Sequence, residues 1–430
     1  MIAILAGSVI VGYLFLVIVF CIPQSRLFTG LANSVSVIQR DDLEEKIFGY
    51  PSSRLDVFTD GALMNAALYE NDESAFKRAA ACYQYIYNDL SRAEGFIAYF
   101  EPREPDGFMS YQRYWHGILV VLKPLFLFFN YSDIRMINSI CQVMLMCFVV
   151  CVFALKKLYR YIPAVFITYL FLMPYTLPMC IQYSPVYYIG FGSLAVLVMM
   201  YDKHFDKGGI LYLFLITGIL TSYFDLLTYP VFTLGIPLAG LLILAGREYK
   251  TEDVTGNRTV SDEKDIGFAL LKRFIACGIS WFAGYALMWA GKILISIPFF
   301  GTQAITDALN SVGQRSVSGA SDEGITYTEA LKTNLFMYKN SLYKWILVIY
   351  TLIVLAIIAV RLIRKKMRIT FAMIPLFLCI MAIPFVWYFV TTEHAQVHAF
   401  MTYKDLTVAV FGYCCMLACL MGQTDYFQIR

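Results

Sequence analysis

Apolar residues in this chain run in long blocks separated by polar connectors. Ten blocks approach the ~20 residues that a membrane-crossing helix needs: 2–22, 134–155, 162–180, 186–201, 210–224, 231–245, 274–296, 345–360, 369–390 and 406–421. The first lacks a basic start and a small-residue cleavage site, so it reads as an anchor rather than a removable signal. The third carries internal prolines in "FLMPYTLPMC" (171–180). A shorter apolar run at 118–129 holds Lys123 and Pro124 and reads as an interfacial helix leading into the second block. The expected fold is an all-α polytopic membrane protein: one integral-membrane domain over 1–430, with about ten transmembrane helices and a large first loop carrying interfacial helices.

Lysine and arginine in the short connectors set the expected orientation. "KKLYRY" (156–161), "DKHFDK" (202–207), "REYK" (247–250), "LLKR" (270–273) and "RLIRKKMR" (361–368) all fall on one side of a ten-span arrangement. That side is taken as cytoplasmic, with both termini on it. The long connectors 23–116 and 298–344 then lie outside, and 246–273 forms a cytoplasmic connector whose polar part, 251–265, reads as flexible.

Composition agrees with a membrane protein. The chain is 59% hydrophobic and only 15% charged, with 31 tyrosines and 34 phenylalanines. Its net charge of +3 and lack of a basic block give no sign of nucleic-acid binding. Most of the 11 cysteines fall inside apolar blocks, where they act as small core residues, so no disulfide framework is implied. This fits a bacterial cytoplasmic membrane protein.

The chemistry gathers in the outer connectors. In "SSRLDVFTDGALMNAAL" (52–68), Asp56 and Asp60 stand four apart. The alanine-rich stretch 58–90 reads as helical, with Thr59 or Asp60 as N-cap of a helix starting near Gly61. Asp56, ahead of that cap, is then free to act as a general base. Further on, "YQRYWHG" (111–117) places Arg113 and His116 at headgroup depth, either as a basic and aromatic anchor or as a phosphate clamp. Asp225 lies at the outer junction of the fifth and sixth blocks. "TTEHAQVHAFMTYKDL" (391–406) carries Glu393, His394, His398, Tyr403 and Lys404. His394 and His398, four apart, share a helical face; two histidines are half a metal site, and hydrogen-bonding or phosphate-facing roles suit them better. Of the four histidines, only His204 falls in a cytoplasmic connector. There is no Walker A, no G-x-G-x-x-G and no H-E-x-x-H. The sequons at 130–132 and 257–259 are set aside, one against the membrane and the other cytoplasmic.

This pattern resembles the GT-C superfamily of integral-membrane glycosyltransferases. The resemblance rests on "RLDVFTDG" after the first span, "YQRYWHGILVVLKPLFLFFNYSDIRMIN", "FDLLTYPVFTLGIPL" and "HAQVHAFMTYKDL". It implies a polyprenyl-phosphate sugar donor, an envelope glycan or lipid acceptor, and inverting transfer on the outer face. An acid of the first loop would be the base: Asp56 or Asp60, with Asp41 and Asp42 as alternatives. Arg113, His116, His394, His398 and Lys404 would meet the donor phosphate, supported by Asp225, Glu393 and Tyr403. No nucleotide or other cofactor is required; a divalent ion stays open. The competing readings are a flippase or transporter for lipid-linked saccharides, a polymerase or ligase acting on them, and a non-catalytic assembly partner.

Overall fold

The computed structural model describes residues 1–41, 46–204, 208–253, 260–316, 324–339, 342–364 and 373–421, with backbone alone at 202–204, 247–253 and 260–266. Among the described residues the chain is mostly helical, and the strands are one antiparallel pair, Gln84–Ile86 against Gly107–Met109. Six helical segments among the described residues are long and apolar enough to cross a membrane: Ile2–Phe20, Tyr131–Leu155, Ile181–Tyr201, Gly267–Phe300, Tyr343–Ile363 and Ala399–Leu420. Shorter apolar helices span Gly209–Phe224, Phe232–Gly246 and Ile374–Val390. Their outer faces are apolar too. In helix Tyr343–Ile363 only the stripe Tyr350, Val354 and Ile358 is buried, while Leu352 and Ile363 stand open. A helix apolar all round with one packed stripe suits a lipid surround.

Helices Gly209–Phe224 and Val260–Phe300 meet backbone to backbone. A Cβ at Gly218 would lie 2.1 Å from the Trp281 carbonyl oxygen, and one at Gly284 would lie 2.2 Å from that of Leu215. Only small residues permit such an approach.

The third hydrophobic block does not form one helix, as its length suggested. It is helical only over Ile162–Phe171, ten residues, or roughly 15 Å of rise, half of a ~30 Å hydrocarbon core. Beyond it Met173 turns into the left-handed region (φ 60°) and the chain continues as two single 3₁₀ turns, Leu177–Met179 and Ile181–Tyr183. Leu177, Pro178, Ile181, Gln182 and Tyr183 are buried there, and buried irregular backbone needs its polar groups satisfied by the protein around it.

The first long connector folds against the helices instead of standing off them. It contains Gln24–Asp41, Val57–Leu68, Ala75–Ala81, the strand pair and Arg92–Ala98, and the apolar helix Leu119–Phe126 follows it. The expected continuous helix over 58–90 is therefore broken: the left-handed Cys82 ends helix Ala75–Ala81 and a strand follows. Two lysines of the apolar segments hold these helices from their C-terminal ends, where carbonyls lack partners and the helix dipole is negative. Lys123 Nζ donates to the Ala67 carbonyl at 2.9 Å, and Lys292 Nζ to those of Ala79 (3.2 Å) and Ala80 (2.7 Å). The expected connector at 246–273 is also largely helical, since helix Phe232–Asp253 runs into it and helix Val260–Phe300 begins inside it; 254–259 lie outside the described residues.

Thermal unfolding in detergent micelles tests the close crossing. Gly284→Ala should destabilise the protein by about 1–3 kcal/mol, the usual range for overpacking. Gly278→Ala, on the same helix with nothing within 4 Å of its added carbon, should leave the midpoint unchanged.

Candidate functional site

Asp56 is itself the N-cap of helix Val57–Leu68, which corrects the expected cap at Thr59 or Asp60 and the expected start near Gly61. Its carboxylate accepts from the Thr59 N–H and hydroxyl, both at 3.1 Å, from Tyr183 OH at 3.2 Å and from Gln182 Nε2. Asp60, one turn on, reaches across to the irregular segment after the third block. It accepts from the backbone N–H groups of Ile181 (2.7 Å) and Gln182 (3.1 Å), and from Tyr131 OH. Tyr131 OH in turn accepts from Arg135 (2.8 Å), whose other nitrogen pairs with Asp41. Asp41, an alternative base by sequence, is thus spent on a buried ion pair; Asp42 lies outside the described residues.

Beside this network opens a polar cavity of about 120 Å³, where one water needs roughly 10–15 Å³. His116, His394, His398, Gln84, Gln182, Thr59, Tyr111, Arg92 and Arg315 give it its polar lining, and Phe58, Leu63, Leu226 and Met401 are among its apolar lining. Separate chain segments thereby bring together the three histidines singled out in the sequence. His394 and His398 do share a face, their rings 4.7 Å apart. His116 sits in a left-handed backbone conformation (φ 54°), a strained state for a residue with a side chain. Its neighbour Trp115 is anchored by a 2.8 Å bond to the Met288 carbonyl.

Other expected residues lie elsewhere. Arg113 is paired with Asp307 at 3.2 Å and faces a second cavity, of about 310 Å³, with Asp225, Tyr285, Trp289 and Trp387; Arg315 borders both cavities. Asp225 is closed on Thr228. Lys404 is buried between the rings of Tyr183 and Tyr403, 4.2 Å from each centroid, and bonds Tyr403 OH at 3.1 Å. Tyr403 OH holds the Ser52 carbonyl. Glu393 is half-buried and lines neither cavity. Neither Asp56 nor Asp60 lines the polar cavity, though Thr59 and Gln182, which contact Asp56, do. Among the described residues no group of three or more His, Cys, Asp or Glu is placed to hold a metal ion.

A third feature is an apolar groove of about 440 Å³ along Ile118, Val121, Leu125, Ile137, Tyr188 and Ile189. Its lining alternates along the chain with that of the polar cavity. Ile181 lines the groove and Gln182 the cavity; the pairs Ile118 and His116, and Phe224 and Leu226, divide in the same way. The backbone amides held by Asp60 belong to this shared wall.

Burial sets the charge states. It pushes Asp60 up to about 6 against the pull of Tyr131 and Arg135, and raises Asp56 despite its hydrogen bonds. Asp225 rises to about 6 for the same reason. Burial lowers His116 and His394 to about 3 and His398 to about 4, helped by Lys292, His398 and Arg315 respectively. All three imidazoles are therefore neutral at pH 7, and the cavity's positive charge comes from Arg92 and Arg315. Sequence reasoning singled out none of Arg92, Gln84, Gln182 and Arg315, which carry no local motif.

For His398 the folded protein resists a proton that the unfolded chain takes up near 6.5. Its contribution to stability is present above that value and lost as pH falls through 6.5 toward 4. Between pH 7 and pH 5 His398→Gln should lose about 1–2 kcal/mol less stability than wild type, read from thermal unfolding at the two values. Compared with family models, with curated proteins and with solved structures, the chain gives no match in any of the three.

Proposed function

We propose that this protein is a membrane glycosyltransferase that moves a sugar from a polyprenyl-phosphate donor to an envelope glycan or lipid acceptor. The observation that carries this reading is the shared wall: an apolar groove able to take an isoprenoid chain shares chain segments with a polar, cation-edged cavity able to take a headgroup. Such a pairing suits a substrate that is greasy at one end and charged and hydroxylated at the other. Arg92 and Arg315 would meet the phosphate, since a guanidinium matches its oxygens in a fork.

In the reaction the acceptor hydroxyl attacks the anomeric carbon, the carbon–oxygen bond to phosphate breaks, and the phosphate leaves with the electron pair toward the two arginines. Configuration inverts. The acceptor's proton passes to the Thr59 hydroxyl, which hands its own to Asp56 at 3.1 Å; the relay suits an acid that stands just behind the cavity. Asp60 holds the wall. The site would face outward from a bacterial cytoplasmic membrane, with both termini inside.

Transfer of labelled sugar from a panel of polyprenyl-phosphate donors in proteoliposomes tests this. Wild type should transfer, and Asp56→Asn and Thr59→Val should each fall by roughly 10²–10⁴-fold, the range for lost acid–base help, with folded protein recovered. Full rates in both variants would remove the relay. Passage of the intact lipid-linked sugar across the bilayer without transfer would favour the flippase reading instead. In the same assay Ile137→Trp, which fills the groove, should raise the KM for long-chain donors about tenfold while leaving kcat near wild type; an unchanged KM would remove the groove from donor binding.

A further inference from the structure

Five buried side-chain atoms around the polar cavity have no hydrogen-bond partner: Gln84 Oε1, His116 Nε2, Gln182 Oε1, His394 Nδ1 and His398 Nδ1. Buried polar atoms of natural proteins are nearly always partnered, so a cluster of orphans on one cavity points to a ligand. Gln84, His116, Gln182 and His394 are each at most 4% exposed, and for His116, Gln182 and His394 the chemistry can be read from the bonds their other atoms make.

His116 Nδ1 lies 3.1 Å from the Tyr114 carbonyl, and His394 Nε2 lies 2.7 Å from the Leu227 carbonyl. A carbonyl only accepts, so each of these nitrogens carries the ring's hydrogen. In a neutral imidazole the other nitrogen is then a lone pair. Gln182 is fixed likewise: its Nε2 donates to the Asp56 carboxylate, which leaves Oε1 as an acceptor. Gln84 Oε1 is a carbonyl oxygen. The cavity therefore offers four acceptors from four segments of chain, and the ligand has to bring the hydrogens.

An ammonium group would bring hydrogens but meets Arg92 and Arg315 on the same lining. A bare phosphate would satisfy the arginines but sets lone pair against lone pair at the other four atoms. We infer that this cavity holds the uncharged ring of a sugar, its hydroxyls donating to His116, His394, Gln84 and Gln182, with the phosphate kept to the arginine edge. The inference rests on the lipid-linked donor proposed for this site and deepens it. The histidines become readers of hydroxyl position rather than binders of phosphate. Asp56 gains a second role, because its grip on Gln182 keeps the amide oxygen turned toward the sugar.

Equilibrium binding to the full chain in nanodiscs decides this, comparing farnesyl phosphate with farnesyl phosphate carrying a hexose (glucose, mannose and galactose in turn). At least one hexose should bind about tenfold or more tighter than the bare phosphate. In His116→Phe and in Gln84→Met that gap should shrink severalfold while affinity for farnesyl phosphate itself stays the same. Two unrelated positions are used so that misfolding of one, checked by thermal unfolding, leaves the other to decide. Equal binding with and without every hexose, or a gap untouched by both substitutions, would overturn the inference and leave the cavity filled by water alone. Binding of neither lipid would overturn the donor reading and this inference with it.

Discussion

Asp60, closed on the amides of Ile181 and Gln182, is the constraint on which the candidate site depends. The chain between Phe171 and Ser184 has no continuous helix to satisfy its backbone. Left alone inside an apolar protein, its N–H groups would each cost on the order of 1–3 kcal/mol. One carboxylate takes two of them, and so fixes the strip whose Ile181 faces an apolar groove and whose Gln182 faces a polar cavity. That carboxylate is in turn held by Tyr131, itself held by Arg135, which is paired with Asp41. Buried charges are costly to separate, and breaking such a pair by removing one partner typically costs about 3–5 kcal/mol. Asp41, Arg135, Tyr131 and Asp60 are all buried, and the chain reaches solvent only at its far end, where Asp41 also pairs with the exposed Arg40 at 2.8 Å.

The same logic governs how the first connector sits on the helices. Lys123 and Lys292 stand in strongly apolar stretches, where a free ammonium would be prohibitive, and both end on carbonyls at the C-termini of connector helices. Each cation satisfies a helix end that needed a donor, and each helix end satisfies a cation that needed oxygen. These two contacts add to the packing of Leu27, Leu31, Leu63 and Phe96, which already belong to the same buried cluster as the apolar helices. The connector can then present Thr59, Gln84, Arg92 and His116 to one cavity along with residues from 182 to 398.

How much of this was legible in the sequence follows from the range of the forces involved. Block hydrophobicity is local, so the positions of most apolar helices and of the short helix at Leu119–Phe126 were readable, and the three histidines singled out there do line one cavity. The third block misled because composition does not say where a helix breaks: Pro174 and Pro178 were visible, but the need of a distant Asp60 for amide donors was not. The cap at Asp56 was misassigned because Thr59 and Asp60 are equally good cap residues by type, and the register was settled by Gln182 and Tyr183, over a hundred positions away. Arg113 read equally as an anchor or a phosphate clamp, and its pairing with Asp307, 194 positions away, carried no local signal. Arg92 and Gln84 had no signal at all, since neither type is rare in a polar connector and their convergence is a property of the fold.

If groove and cavity hold the two ends of one substrate across the wall that Asp60 secures, photo-cross-linking shows it most directly. The probe is farnesyl phosphate hexose with a diazirine in the isoprenoid chain, followed by peptide mapping of the adducts. Labelling should fall on the segments that line the groove, 118–125, 134–141 and 181–189, and should be lost when unlabelled donor competes. Adducts confined to the lipid-exposed faces of the helices at 2–20 and 343–363, unchanged by competitor, would contradict a shared substrate.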